Sequence, residues 1–303
     1  MTLIAILLAL GTESFWKSVR LLRHFEVLIK YATWLQRHFS DQTWFNGSAG
    51  VLLVILPIVI AVGIVQHVLG SAPGVLAWLL SLLFSVAVLI FCIGVKDINQ
   101  HVNDYLNAWG QDDPEAAYLY VKDLLGGEKA ENARQLHLKF MQFILIRINE
   151  RLLAILFWFV VLGPVGAVLY RSASQLKALA RTEYNTHEDF MEAALRFKAI
   201  LDWVPVRITA LCYAIIGNFV EAIHCWGQQI AKQGNNWVAS NNSVLVSAGC
   251  GALQLADIFT EKDLALEKED IRDQILAAEG LVKRTVIAWL TFLAILTLVG
   301  WMV

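Results

Sequence analysis

The sequence predicts an all-α integral membrane protein, and three observations carry that prediction. Hydrophobic residues make up 57% of the 303 and charged residues only 17%, against about 45–50% and about 25% in soluble domains. Uncharged apolar runs of membrane-spanning length recur along the chain, and no stretch holds the alternating pattern of a strand. A soluble core has no room for so much apolar surface, whereas lipid receives it. Residues 1–303 therefore read as a single membrane domain.

The N-terminal TLIAILLAL lacks a basic leader and a small-residue cleavage site, so it reads as a retained helix. Its nine residues are too few to cross a bilayer core, which takes about 20, and an interfacial or half-buried position is expected. Over 14–39, Phe15, Val19, Leu22, Phe25 and Ile29 share one helical face while Lys17, Arg20 and His24 share another. That pattern fits a basic interfacial helix or a helix packed on its own protein. Residues 49–69 and 75–95 are two uncharged runs joined by GSAPG, which predicts a transmembrane hairpin.

The long polar segment after the hairpin reads as amphipathic cytoplasmic helices. In DDPEAAYLYVKDLLGG, Asp112 suits an N-cap, Pro114 a first helical position, Glu115 the first turn and the glycines the C-terminal end. A helix from about Lys129, with Leu136, Phe140, Phe143 and Ile144 on one face, is expected to run into the apolar stretch at Leu152. Thr186 and Asp189 resemble a capping box for a helix lined by Phe190, Ala194, Phe197 and Leu201.

Three apolar segments remain. Residues 152–170 and 285–303 are each nineteen long and uncharged, while 203–219 contains Pro205 and Arg207 and either spans, re-enters or lies in the interface. Basic loops stay cytoplasmic. Lys17 to Arg37 before the hairpin, Lys96 to Arg151 after it, and Lys268, Arg272, Lys283 and Arg284 before the last run all mark the inside. The chain then crosses zero or two times between Arg151 and Lys283, so 152–170 and 203–219 either both span or both re-enter. The Gly163–Pro164 break, with Arg171, Lys177 and Arg181 just beyond, is compatible with re-entry. The N-terminus is expected in the cytoplasm and the C-terminus in the periplasm.

Charge and motifs exclude several functions. With 24 Lys and Arg against 26 Asp and Glu there is no basic field for nucleic acid. Cys92, Cys212, Cys225 and Cys250 form no CxxC pair and read as buried thiols. The seven histidines do not fall at metal-ligand spacings, so no metal is expected. GGEKA at 126–130 lacks the spacing and hydroxyl of a phosphate loop, and there is no GxSxG elbow. The residues specify no cofactor.

Polar groups at membrane depth are costly and often functional, which singles out three stretches. Gly163 to Arg171 pairs a helix-breaking Gly–Pro with an arginine, as a kinked span with a snorkelling Arg171 or as backbone lining a polar cavity. In Leu201 to Thr209, Pro205 suits a helix start and Asp202 is placed either to pair with Arg207 through the turn that start would create or to hold the helix N-terminus. Ser240 to Leu253 joins an amide-rich segment, Ser240, Asn241 and Asn242, to small residues that allow close helix packing.

In this order the three stretches resemble the adenosylcobinamide-phosphate synthase family (CobD or CbiB), membrane enzymes that couple an amine to a corrin carboxylate with ATP. LFWFVVLGPVGAVLYRSASQL is similar to that family's APLFW, glycine-proline, ALxYR segment, LDWVPVRITAL to its NYIPARLTAL, and the Ser240 stretch to its SPNxGWP. The resemblance spans about 90–300. Over essentially the whole chain, LDWVPVR followed by LCYAIIG resembles the AmpE family of regulatory signalling modulators.

The departures from the synthase pattern bear on mechanism. The RDT stretch is replaced by LLGGEKAENA, the Glu–Asn pair stands reversed as Asn149 and Glu150, and the proline of SPN is missing between Ser240 and Asn241. These losses argue against intact ATP-dependent amide synthesis. The resemblance implies a bacterial inner-membrane regulator of β-lactamase induction linked to cell-wall recycling, with a divergent CobD/CbiB-like amide-forming enzyme as the alternative. It implies Glu150, Arg171, Asp202, Pro205, Arg207, Ser240 and Asn241 as ligand-binding candidates. The ligands it suggests are a nucleotide, a corrin or a muropeptide, and a partner protein or homo-oligomer is compatible with it.

Overall fold

The computed structural model describes residues 2–15, 26–39, 47–94, 96–111, 114–124, 133–182, 188–233, 237–255 and 268–299. Every element among them is helical. The chain divides into two compact units, one made of 1–93, 154–203 and 293–303 and the other of 94–153 and 204–292.

The first unit holds α1 (Thr2–Phe15), α2 (Glu26–Phe39), α3 (Ser48–Ser71), α4 (Val75–Cys92), α8 (Ala154–Leu162), α9 (Pro164–Thr182) and the first part of α10 (Glu188–Ile216). The expected hairpin is α3 and α4, turned at Gly74, whose φ of +107° suits a residue without Cβ. At 1.5 Å per residue α3 is about 36 Å long, enough for a hydrocarbon core of about 30 Å. Leu52, Leu56, Ile60 and Ile64 on α3 and Leu76, Leu79, Leu80 and Leu83 on α4 are exposed, the surface lipid would cover. The N-terminal helix is half-buried as expected. Ala5, Ile6 and Ala9 pack inward against α4 and α8 while Ile4, Leu7 and Leu8 face out.

The run 152–170 is not one span. Asn149–Leu153 form a π-helical turn, and α8 has only nine residues, about 13.5 Å. Gly163, with φ +67°, then folds the chain so that α9 packs back on α8. The approach is backbone-close, and a Cβ on Gly166 would strike the Trp158 carbonyl oxygen. Gln66 of α3 closes the corner, its Oε1 accepting the Val165 N–H at 3.2 Å.

The second unit holds α5 (Lys96–Gly110), α6 (Pro114–Leu124), α7 (Ala133–Ile148), the π-turn, the remainder of α10, α11 (Phe219–Gln233), α12 (Trp237–Ala252) and α13 (Lys268–Leu298) up to Phe292. Pro114 opens α6 as the sequence predicts, and Ala117 and Val121 turn inward. Tyr105 stacks on Phe140 with ring centroids 4.2 Å apart. Between α11 and α12 small residues bring backbones together: a Cβ on Gly251 would meet the Glu221 carbonyl at 2.6 Å, and one on Gly217 the Ala252 carbonyl at 2.5 Å.

Pro205 does not start a helix. It lies inside the continuous α10, where it has no N–H for the carbonyl of Leu201, four residues back. The apolar segment 203–219 is thus the end of a 29-residue helix. Among the described residues four helices are long and apolar enough to cross a membrane: α3, α4, α10 and Asp270–Leu298. The protein is an all-α membrane protein, and the two segments that charge parity couples differ, since α8 is too short to cross and α10 is not. Residues 16–25, Asp112, 126–130 and Thr186, on which parts of the reading rest, lie outside the described residues.

Candidate functional site

In the first unit the chemistry gathers on α10 and α9. Lys198 and Asp202 stand four residues apart on one helix face, the spacing at which side chains meet. Lys198 Nζ donates to Asp202 Oδ1 at 2.6 Å and lies 2.5 Å from Oδ2. Tyr170 on α9 donates its hydroxyl to Asp202 Oδ1 at 2.7 Å and accepts from Lys198 at 2.9 Å. Lys198 is 1% exposed and Asp202 4%, so both charges have left solvent. That desolvation costs several kcal/mol per ion and is repaid only by tight geometry of this kind. Arg171, next to Tyr170, is itself buried.

The Asp202–Arg207 pair expected from the sequence is not the one formed. It required a turn at Val204 and Pro205, and α10 is uninterrupted there. On a continuous helix residues five apart point about 140° from one another, so Asp202 takes Lys198 instead. The sequence reading passes over Lys198, whose only signal is its i, i+4 spacing to Asp202.

The second unit carries a separate polar cluster at the π-turn, a helical irregularity often found at functional sites. Asn149 Oδ1 accepts the Thr209 hydroxyl at 2.9 Å, both groups being buried. Glu150, also buried, takes an ion pair from Arg147 at 3.2 Å, and Arg147 in turn lies over the Phe143 ring. Arg207 Nη1 donates to Asn241 Oδ1 at 3.3 Å, and Tyr213 donates to the Leu145 carbonyl at 3.1 Å. Of the candidates in this unit the structure joins Arg207 to Asn241 and sets Glu150 on the π-turn. Pro205 is buried within α10, and Ser240 lies in α12 with its side chain outside the described part. The unit thus holds a guanidinium, amides and a carboxylate, group types suited to a ligand bearing both anionic and amide groups.

The whole chain, residues 1–303, matches the family described as Regulatory signalling modulator protein AmpE. The chain belongs to the AmpE family. It is 27% identical to Protein AmpE of Shigella flexneri over 99% of each chain. It is also similar to the Cobalamin biosynthesis protein CobD of Chromobacterium violaceum, at 29% identity over 71% of this chain and 66% of that protein. CobD of Stutzerimonas stutzeri is 32% identical over 59% of this chain and 60% of its own length. The chain thus spans just under two thirds of these CobD relatives. No solved structure matches.

In this AmpE-family chain the fold gathers two further polar groupings. His137 on α7 is fully buried, 3.0 Å from the Gln274 side-chain oxygen of α13, and burial lowers its pKa from the ordinary 6.5 to about 4. On α11, ligand atoms of Glu221, His224 and Cys225 all lie within 4.8 Å of one another. These three match none of the separated His and Cys pairs by which metal motifs are usually known, yet i, i+3, i+4 on one helix suffices to converge three side chains.

Proposed function

We propose that this AmpE-family chain is an inner-membrane regulatory protein of β-lactamase induction linked to cell-wall recycling. The observation that carries the reading is its end-to-end likeness to Protein AmpE of Shigella flexneri. The reversed Asn149–Glu150 pair and the missing RDT stretch support a binding role over amide synthesis. Arg207, Asn241 and Glu150 are the groups that would hold the sensed molecule, and a muropeptide offers the carboxylates and amides they suit. Arg171 and Asp202 in the first unit are candidates for the same ligand chemistry.

The test is a strain with inducible β-lactamase from which the gene is deleted. β-Lactamase activity after a subinhibitory β-lactam should change on deletion and be restored by the wild-type gene. Arg207→Ala should fail to restore it while expression and melting temperature stay near wild type. Induction that is unchanged by the deletion would overturn the reading.

The second reading is a divergent CobD/CbiB-like enzyme, favoured by the likeness to CobD relatives. Purified protein given ATP, magnesium, adenosylcobyric acid and aminopropanol phosphate should form no amide, and product would reverse the ranking. Mass spectrometry of co-purifying small molecules separates a nucleotide, a corrin and a muropeptide.

For orientation we propose a cytoplasmic N-terminus and a periplasmic C-terminus, with α3, α4 and α13 crossing and α10 held within the protein. Half of the apolar stretch of α10 is buried, against 22% and 17% for α3 and α4. A helix with that much protein contact has less need of lipid.

A further inference from the structure

We propose that Glu221, His224 and Cys225 form a three-ligand site for a divalent transition metal of the zinc type, with a fourth position open. Glu221 and the His224–Cys225 pair one turn on share one face of α11, with the exposed apolar Phe219 and Ile223 on the other side. His224 is exposed and Glu221 and Cys225 are half-buried, so the three donor groups lie at the surface of the unit and not in its core.

The donors are already turned toward one another. Cys225 Sγ lies 3.7 Å from Glu221 Oε1, and His224 Nδ1 lies 4.0 Å from the same oxygen. Around zinc, with bonds of about 2.0–2.3 Å, tetrahedral donors stand about 3.5 Å apart, and since the three ligand atoms already lie within 4.8 Å of one another, side-chain rotations suffice to bring them to that spacing. A carboxylate, an imidazole and a thiolate are the mixed O, N, S set that zinc accepts and that hard ions such as magnesium do not favour. Gln228 Nε2 lies 3.2 Å from His224 Nε2; with its amide turned over, the Gln228 oxygen would stand there to accept the Nε2–H of a histidine that ligates through Nδ1.

The scaffold is also fixed. The Glu221 N–H is capped by Asn218 Oδ1 at 3.1 Å, Asn218 donates its N–H to the Ala252 carbonyl at 2.9 Å, and the Glu221 carbonyl rests against Gly251. Such preorganisation holds the first ligand in place. A cation near a helix N-terminus opposes the helix dipole, and the two anionic ligands offset that.

The experiment titrates the full chain in detergent with Zn²⁺ against a chromophoric chelator, and with Co²⁺ followed by absorption. One ion per chain is expected, with a thiolate-to-cobalt charge-transfer band. C225A should abolish the band, and H224A and C225A should each weaken Zn²⁺ binding tenfold or more. H67A and C212S serve as controls and should leave binding unchanged. Absence of stoichiometric binding, or less than a tenfold loss in either ligand variant, overturns the proposal. Melting temperatures close to wild type show that the variants fold.

Discussion

The Trp158 indole N–H donates to the carbonyl of Leu201 at 3.1 Å. That oxygen is the one Pro205 leaves without a helical donor, so a side chain of α8 replaces the missing backbone bond of α10. Such substitution is how helices at membrane depth tolerate an internal proline.

Trp158→Phe should therefore lower stability in detergent by about 1 kcal/mol. In a Pro205→Ala background, where the alanine restores the backbone donor, the same change should cost measurably less. Thermal unfolding of the four proteins gives the coupling. Additive effects would mean that the indole bond and the proline are energetically independent.

Removing one member of the buried pair strands the other. Lys198→Met should destabilise by about 3–5 kcal/mol, and Lys198→Met combined with Asp202→Leu should recover most of it. Tyr170→Phe leaves the Lys198 bond to Asp202 in place and should cost only about 1 kcal/mol. Chemical or thermal unfolding distinguishes these outcomes, and a double variant no better than Lys198→Met would contradict the pairing.

His137 predicts a pH dependence. Burial lowers its pKa to about 4, against a smaller opposing effect of Gln274. The unfolded chain, titrating near 6.5, binds the proton first, so stability is full above about pH 6.5 and is lost as pH falls toward 4. The loss reaches roughly 3 kcal/mol by the lower limit. His137→Gln should flatten unfolding midpoints measured across this window, apart from the slope that the carboxylates contribute.

A fluorescent reporter that matures only in the cytoplasm should stay dark when fused after Val303 and shine when fused at residue 125, if α3, α4 and α13 cross. A bright fusion at Val303 would put both termini on one side and make α10 the fourth crossing.

What the sequence discloses depends on how local each signal is. The α3–α4 hairpin is written in two uninterrupted apolar runs, the start of α6 in Pro114, and the break between α8 and α9 in Gly163 and Pro164. The π-turn leaves no trace in composition, because it is a shift of hydrogen-bond register. Asn149 and Thr209 are 60 positions apart and meet only through the fold. The Lys198–Asp202 pair is local and still escapes the sequence reading. A helix start at Pro205 directs attention to Arg207, and only the unbroken α10 makes the lysine one turn back the natural partner.

The glycines of the α11–α12 packing foretell where the chain tolerates variation. At Gly217 and Gly251 even a methyl group would strike backbone, at 2.5 and 2.6 Å, and at Gly249 it would meet the Leu145 side chain at 2.7 Å. At Gly11, Gly70 and Gly227 nothing lies within 4 Å. If every position were replaced in turn and selected for accumulation in the membrane, Gly217 and Gly251 should accept no other residue. Gly249 should admit alanine where Leu145 is trimmed to valine, and Gly11, Gly70 and Gly227 should accept most small side chains.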